Sequence, residues 1–166
     1  LMSQVILSTD VVREDITNIA NVVNSSLNIL DNTTIAITGA NGFLASNFIY
    51  YILNLSCSLD LNIRVHAYCR SSSSLISRFS AHDYERFFSH LHIFPYDSTS
   101  NFSDSPPADY IIHAASNASP DLFAKDPFGT CSANTIGTIQ SLNYAIRSNC
   151  RNYILLSTSG VYGSVG

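Results

Sequence analysis

The sequence predicts an α/β fold, a doubly wound parallel sheet of about five strands, on three observations. From residue 33 onward, short β-branched or apolar runs alternate with longer helical stretches, the pattern of βαβ units. Most of those runs are too apolar for a sheet with one wet face. A glycine-rich turn, Thr38-Gly39-Ala40-Asn41-Gly42-Phe43-Leu44-Ala45, joins the first run directly to the first long helix.

Residues 8 to 30 read as one amphipathic helix, with Ser8, Thr9 or Asp10 to cap it and Val12, Ile16, Ile19, Ala20 and Val23 at helical spacing. Strands are expected at Thr34 to Thr38, Ile63 to Cys69, His92 to Pro95, Tyr110 to Ala114 and Tyr153 to Ser157. The helices between them are Phe43 to Leu55, His82 to His90 and Pro127 to Ser148, and Ser71 to Ser74 is expected as a polar loop. No internal repeat or interdomain linker is visible.

The 166 residues suffice for one domain, and 46% hydrophobic residues suffice for its core. Only 12% are charged, with Lys125 the single lysine. A net charge of -4 offers no basic field for a polyanion, so no nucleic-acid partner is expected. Cys57, Cys69, Cys131 and Cys150 are scattered without a C-x-x-C pair, which argues against a zinc cluster or a disulfide framework. Residues 1 to 7 lack the features of a signal peptide, and no apolar run is long enough to span a bilayer. A cytoplasmic protein with reduced thiols and no membrane partner is expected. Triplets such as Asn117-Ala118-Ser119 are read as chance in an Asn/Ser-rich chain.

The glycine turn has the form G-x-x-G-x-x-A between a strand and a helix. Gly39 permits a tight turn, Gly42 allows backbone to approach a pyrophosphate, and Ala45 lets the helix pack closely on the strand. The helix start adds free amides and partial positive charge. Gly39, Asn41, Gly42, Phe43 and Leu44 are therefore the candidate contacts for a dinucleotide, against the plainer reading of an ordinary strand-to-helix turn. No G-x-x-x-x-G-K-[ST] occurs, so a nucleoside-triphosphate loop is not supported.

Cofactor choice is read at the end of strand two. An acidic side chain there would bind the adenosine ribose, and an arginine would accommodate a 2′-phosphate. The residues present are Tyr68-Cys69-Arg70-Ser71, which favours NADP over NAD unless Arg70 is a solvated loop charge. After strand three, Asp97, with Ser98 beside it, is placed to accept from the adenine amino group, or else to cap a turn.

These pieces, with Asp109-Tyr110-Ile111-Ile112-His113-Ala114-Ala115-Ser116, Asp126-Pro127, Asn134-Thr135-Ile136-Gly137-Thr138 and Leu156-Ser157-Thr158-Ser159-Gly160-Val161-Tyr162-Gly163, resemble the extended short-chain dehydrogenase/reductases. The resemblance is to the NAD-dependent epimerase/dehydratase group acting on nucleotide sugars, and it runs in family order from about residue 33 to residue 166. It implies a Rossmann-like sheet of order 3-2-1-4-5 over residues 33 to 166, with residues 1 to 32 as an N-terminal helical extension. It implies that Ala114, Ala115 and Ser116 line the cofactor's pyrophosphate and ribose, though a buried strand end would also suit the two alanines. Asn134 and Gly137 would hold the next helix close to the sheet, and Ser157 would join the cofactor site. Thr158 falls at the catalytic Ser/Thr, whose hydroxyl bonds the sugar oxygen that gains or loses a proton. The partners implied are a nucleotide-sugar substrate and a second copy of the chain in a homo-oligomer.

The sequence departs from the family twice. Members that dehydrate dTDP-glucose carry Asp-Glu after that threonine, and UDP-glucuronate decarboxylases usually keep a Glu at the second position. Ser159-Gly160 stand there, a tilt toward epimerases and reductases that need neither carboxylate. The family's Y-x-x-x-K is also missing, since Tyr162 is followed only by residues 163 to 166. The chain therefore reads as an N-terminal fragment, truncated before the sixth strand and the substrate domain, that binds NADP or NAD at most. The intact protein is expected to act through a transient keto-sugar in polysaccharide synthesis. A non-catalytic dinucleotide sensor is the competing reading of the missing tyrosine.

Overall fold

The computed structural model describes residues 10–97, 100–116 and 120–163. Among them, five parallel strands form one sheet in the order β3-β2-β1-β4-β5. The strands are β1 (Thr34–Thr38), β2 (Arg64–Cys69), β3 (Leu91–Pro95), β4 (Tyr110–His113) and β5 (Asn152–Leu155). Each lies within a few residues of its expected place, because an apolar run bounded by turn residues has no other way to pair its backbone and bury its side chains. The order reverses beside β1, which puts the crevice of a doubly wound sheet at the carboxyl ends of β1 and β4.

The helices are α1 (Asp10–Val23), α2 (Phe43–Ser58), α3 (Ser72–Ile76), α4 (Ala81–Phe87), α5 (Pro120–Lys125), α6 (Pro127–Ser132) and α7 (Thr138–Ser148). Four of the expectations need correction. The first helix stops at Val23 and continues as a 3-10 segment, Asn24–Leu30, with Leu27 turned into the core; the cap candidates Ser8 and Thr9 lie outside the described residues. The Ser71 to Ser74 loop is instead the start of α3. Ser71 Oγ accepts from the Ser74 amide at 3.2 Å, and Leu75 anchors the short helix in the core. The single helix over Pro127 to Ser148 is divided by a π-helical turn, Ala133–Gly137, between α6 and α7. Helix α5 had no counterpart in the sequence reading.

Side-chain alternation along the strands builds two cores, one on each face of the sheet. Ile35, Ile37, Val65 and Ala67 join Ile49, Leu53, Leu75, Phe79 and Phe87 from α2, α3, α4 and the segment between the last two. On the other face, Ala36, Tyr68 and Ile111 join Tyr96, Phe102, Tyr144 and Ala145. Strands β1 and β2 are almost wholly buried. The outer strand β5 is not: Ile154 and Leu155 are about half exposed, so the expectation of a sheet without a wet face fails at this edge. Val12 and Ile16 of α1 pack against the first core.

Candidate functional site

The glycine turn sits at the carboxyl end of β1 and is held by backbone bonds. Gly39 has φ +67°, a region costly for any side chain. A Cβ there would lie 2.7 Å from the Ala114 oxygen and 2.8 Å from the Ala115 Cα. The turn is therefore pressed against the backbone that leaves β4. Ala40 N donates to Tyr68 O at 3.1 Å, tying the turn to β2. Gly42 is the N-cap of α2 and supplies no capping side chain. The first helical bond runs from Ser46 N to Gly42 O at 3.0 Å, so the amides of Phe43 and Leu44 precede the helical ladder. Ala45 is buried, as the close approach of α2 to the sheet requires.

Above this turn lies a cleft of about 370 Å³. Its lining brings together eight of the residues singled out in the sequence: Gly39, Asn41, Gly42, Arg70, Asp97, Ala114, Ala115 and Ser116. Asn41 Nδ2 donates to Ser71 O at 2.9 Å, which links the turn to the loop carrying Arg70. Its Oδ1 is buried with no hydrogen-bond partner among the described residues. Ser116 Oγ donates to Asn134 Oδ1 at 2.8 Å, so Asn134 reaches the cleft through Ser116 and not as a lining residue.

Other candidates stand apart. The side chains of Phe43 and Leu44 point to solvent, leaving their amides as the groups near the turn. Ser157 and Thr158 are exposed, follow the end of β5 and do not line the cleft. Ser98 lies outside the described residues, as does the triplet Asn117-Ala118-Ser119.

The cleft also contains Cys69, Tyr96, Asp126, Gly129 and Ala133, which the sequence reading did not assign to it. Asp126 caps α6 by accepting from Gly129 N at 2.8 Å, and the Asp126-Pro127 pair was the visible signal of that start. Ala133 belongs to the π-helical turn, for which the sequence carries no signal.

Two of the titratable groups here, Cys69 and Tyr96, are held in neutral forms. Burial pushes the Cys69 thiol up, so it is a poor nucleophile. Burial, with Asp97 and Tyr153 adding to it, pushes the Tyr96 phenol up to about 12, and its hydroxyl has no partner among the described residues. The arrangement is suited to binding: the start of α2 at Gly42 and Arg70 for an anion, and Asp97 for a donor. Among the described residues, no cluster of three or more His, Cys, Asp or Glu is placed to hold a metal ion, and no helix is long and apolar enough to cross a membrane.

A model of the NAD dependent epimerase/dehydratase family matches residues 35–166. Among curated proteins, UDP-glucuronic acid decarboxylase 1 of Danio rerio is 47% identical over 55 residues, which is 33% of this chain and 13% of that protein. Among solved structures, Pen from Bacillus thuringiensis matches with a TM-score of 0.68 at 16% identity, over 80% of this chain and 40% of the other. UDP-N-acetylglucosamine 4-epimerase from Methanobrevibacter ruminantium M1, in complex with UDP-N-acetylmuramic acid, has a TM-score of 0.62 at 21% identity and the same two coverages. The Bordetella bronchiseptica enzyme WbmF, in complex with NAD+, has a TM-score of 0.61 at 18% identity. The chain thus spans about 40% of the length of the solved structures it matches, and at these identities the likeness is one of fold.

Proposed function

We propose, because the chain belongs to the NAD dependent epimerase/dehydratase family, that residues 33 to 166 form the dinucleotide-binding domain of an enzyme that modifies a nucleotide sugar through a transient keto form. The observation that carries this reading is the missing Cβ at Gly39. Backbone packs so closely there that only glycine fits, and Gly42, the N-cap of α2, lines the cleft above it. A bound dinucleotide would supply the acceptor and donor of hydride.

The chain's own residues then have separate tasks. The Phe43 and Leu44 amides, with the dipole of the 16-residue α2, would meet the pyrophosphate. Arg70 would meet a 2′-phosphate, which favours NADP, and Asp97 would accept from the adenine amino group. Ala114, Ala115 and Ser116 would lie against the ribose, with Asn134 holding Ser116 in place. The Thr158 hydroxyl would bond the sugar oxygen whose proton is exchanged. The domain would also associate with a second copy, because Ile139, Leu142 and Ile146 form an exposed stripe on α7.

A second reading within the same family is a decarboxylase of UDP-glucuronate, favoured by the 47% identity over 55 residues. Gly160 stands where such enzymes usually keep a glutamate, which weighs for the epimerases and reductases.

The test is calorimetric titration of the chain with NADP and NAD in parallel. We expect NADP to bind more tightly, Arg70→Ala to erase the difference, and Gly39→Ala to abolish binding of both. Absence of binding by the wild-type chain to either nucleotide overturns the reading.

A further inference from the structure

One dipeptide in the glycine turn carries a chemistry of its own. Of the asparagines in this chain, only Asn41 is followed by a glycine, and both residues line the cleft. An Asn-Gly pair can lose ammonia without an enzyme. The backbone nitrogen of the glycine attacks the asparagine Cγ, so a C–N bond forms and the Cγ–Nδ2 bond breaks. The nitrogen's proton leaves with the side-chain amide as ammonia. Water then opens the five-membered succinimide at either carbonyl, leaving aspartate or, by the longer backbone route, isoaspartate. Glycine favours the attack because no Cβ shields its nitrogen and its backbone turns freely.

The fold opposes each part of this step. The attacking group is engaged elsewhere, since Gly42 N donates to Gly39 O at 2.7 Å. The leaving group is engaged too, since Asn41 Nδ2 donates to Ser71 O at 2.9 Å. Charge that builds on Oδ1 during the attack would be stranded, because that oxygen is buried with no hydrogen-bond partner among the described residues.

We propose that Asn41 is the preferred deamidation site of this chain, that the folded turn latches it in the amide form, and that conversion shuts the cleft to its anion. The last clause rests on the dinucleotide reading. Deamidation replaces the donor facing Ser71 O with a carboxylate oxygen. Two acceptors then meet where a hydrogen bond stood, and the tie to the loop carrying Arg70 is lost. The change also puts a negative charge in the turn that would receive the pyrophosphate. Isoaspartate does more, because its extra backbone carbon lengthens the turn that Gly42 N closes on Gly39 O.

The first measurement is peptide mass spectrometry of the 166-residue chain aged at mildly alkaline pH, with and without urea, to locate the change from amide to acid. In urea, Asn41 should convert ahead of every other asparagine, and Gly42→Ala should slow it several-fold. First conversion elsewhere, or no effect of the substitution, overturns the site. In the folded chain the same conversion should be slower by about tenfold or more, the worth of the two hydrogen bonds that must open. Equal rates in the two states overturn the latch. The second measurement is calorimetric titration with NADP and NAD. Asn41→Asp should weaken binding by about tenfold or more. If that variant does not fold, the deamidated fraction of the wild-type chain, separated by anion exchange, takes its place. Undiminished affinity overturns the effect on the cleft. A wild-type chain that binds neither nucleotide sinks the dinucleotide reading, and the mass measurement still decides the site and its latch.

Discussion

The two faces of the sheet are built on different principles. The face under α2, α3 and α4 is filled by Ile35, Ile37, Ile49, Leu53, Val65 and Leu75, side chains with no polar atom to satisfy. The face toward α7 is aromatic and polar: Tyr68, Tyr96, Phe102 and Tyr144 pack ring on ring, and His66, Thr38 and His113 are buried with them. Three buried polar atoms left without partners among the described residues, His66 Nδ1, His113 Nε2 and the Tyr96 hydroxyl, belong to this second face. The difference teaches where each kind of stability resides. The first face is held chiefly by dispersion and water exclusion, with the Tyr50 hydroxyl on the buried Asp83 at 3.1 Å as a polar contact beside it, whereas the second carries two buried imidazoles and several hydroxyls.

Acid is the strongest way to separate the faces. Burial, with smaller contributions from His92 and Arg64, depresses the His66 pKa to about 4, and burial alone does the same for His113; the ordinary value is 6.5. Between those values the unfolded chain binds protons that the folded chain refuses, so stability is fully present above pH 6.5 and is lost as pH falls toward 4. Each group contributes about 3 kcal/mol to that loss. Urea unfolding at pH 7 and pH 5 should show the decline, and His66→Phe should remove roughly half of its slope. A stability that is flat from pH 7 to pH 5 breaks the comparison.

Smaller effects separate the faces by size of substitution. Leu53→Ala empties a fully buried position of the first face and should cost about 3 kcal/mol at any pH. On the second face, Tyr144→Phe keeps the ring but removes the hydroxyl that donates to Pro106 O at 2.7 Å and meets the Tyr68 hydroxyl at 3.3 Å. That loss should be about 1 kcal/mol. If thermal denaturation ranks the two the other way, hydroxyl geometry matters more on the second face than packing does on the first.

The smallest effect on stability belongs to the outer surface of α7. Ile146 is 79% exposed, so Ile146→Lys should change the unfolding free energy by no more than about 0.5 kcal/mol. It should nevertheless reduce concentration-dependent association in sedimentation, since it interrupts the stripe with Ile139 and Leu142. A wild-type chain that sediments as a monomer at all concentrations removes the stripe from the account.

How legible each feature was depended on how local its cause is. The strands and the glycine turn were readable because each rests on a few adjacent residues: β-branched runs, then glycines at the interval a strand-to-helix turn needs. The short helix α3 was missed because Ser71 to Ser74 favours a loop by composition, and only the burial of Leu75 against the sheet decides otherwise. The cleft was half readable. Gly39, Asn41 and Arg70 belong to turns visible in the chain, while Tyr96 and Ala133 reach the same space from elements whose placement follows from packing.

The amino-acid order by itself determined the α/β class, the parallel sheet and the place of the tight turn, because hydrophobic period and glycine stereochemistry act within a few residues. Only the tertiary structure decided that Thr38 and His113 meet, since 75 residues of chain separate them. That contact exists only once β1 and β4 lie side by side.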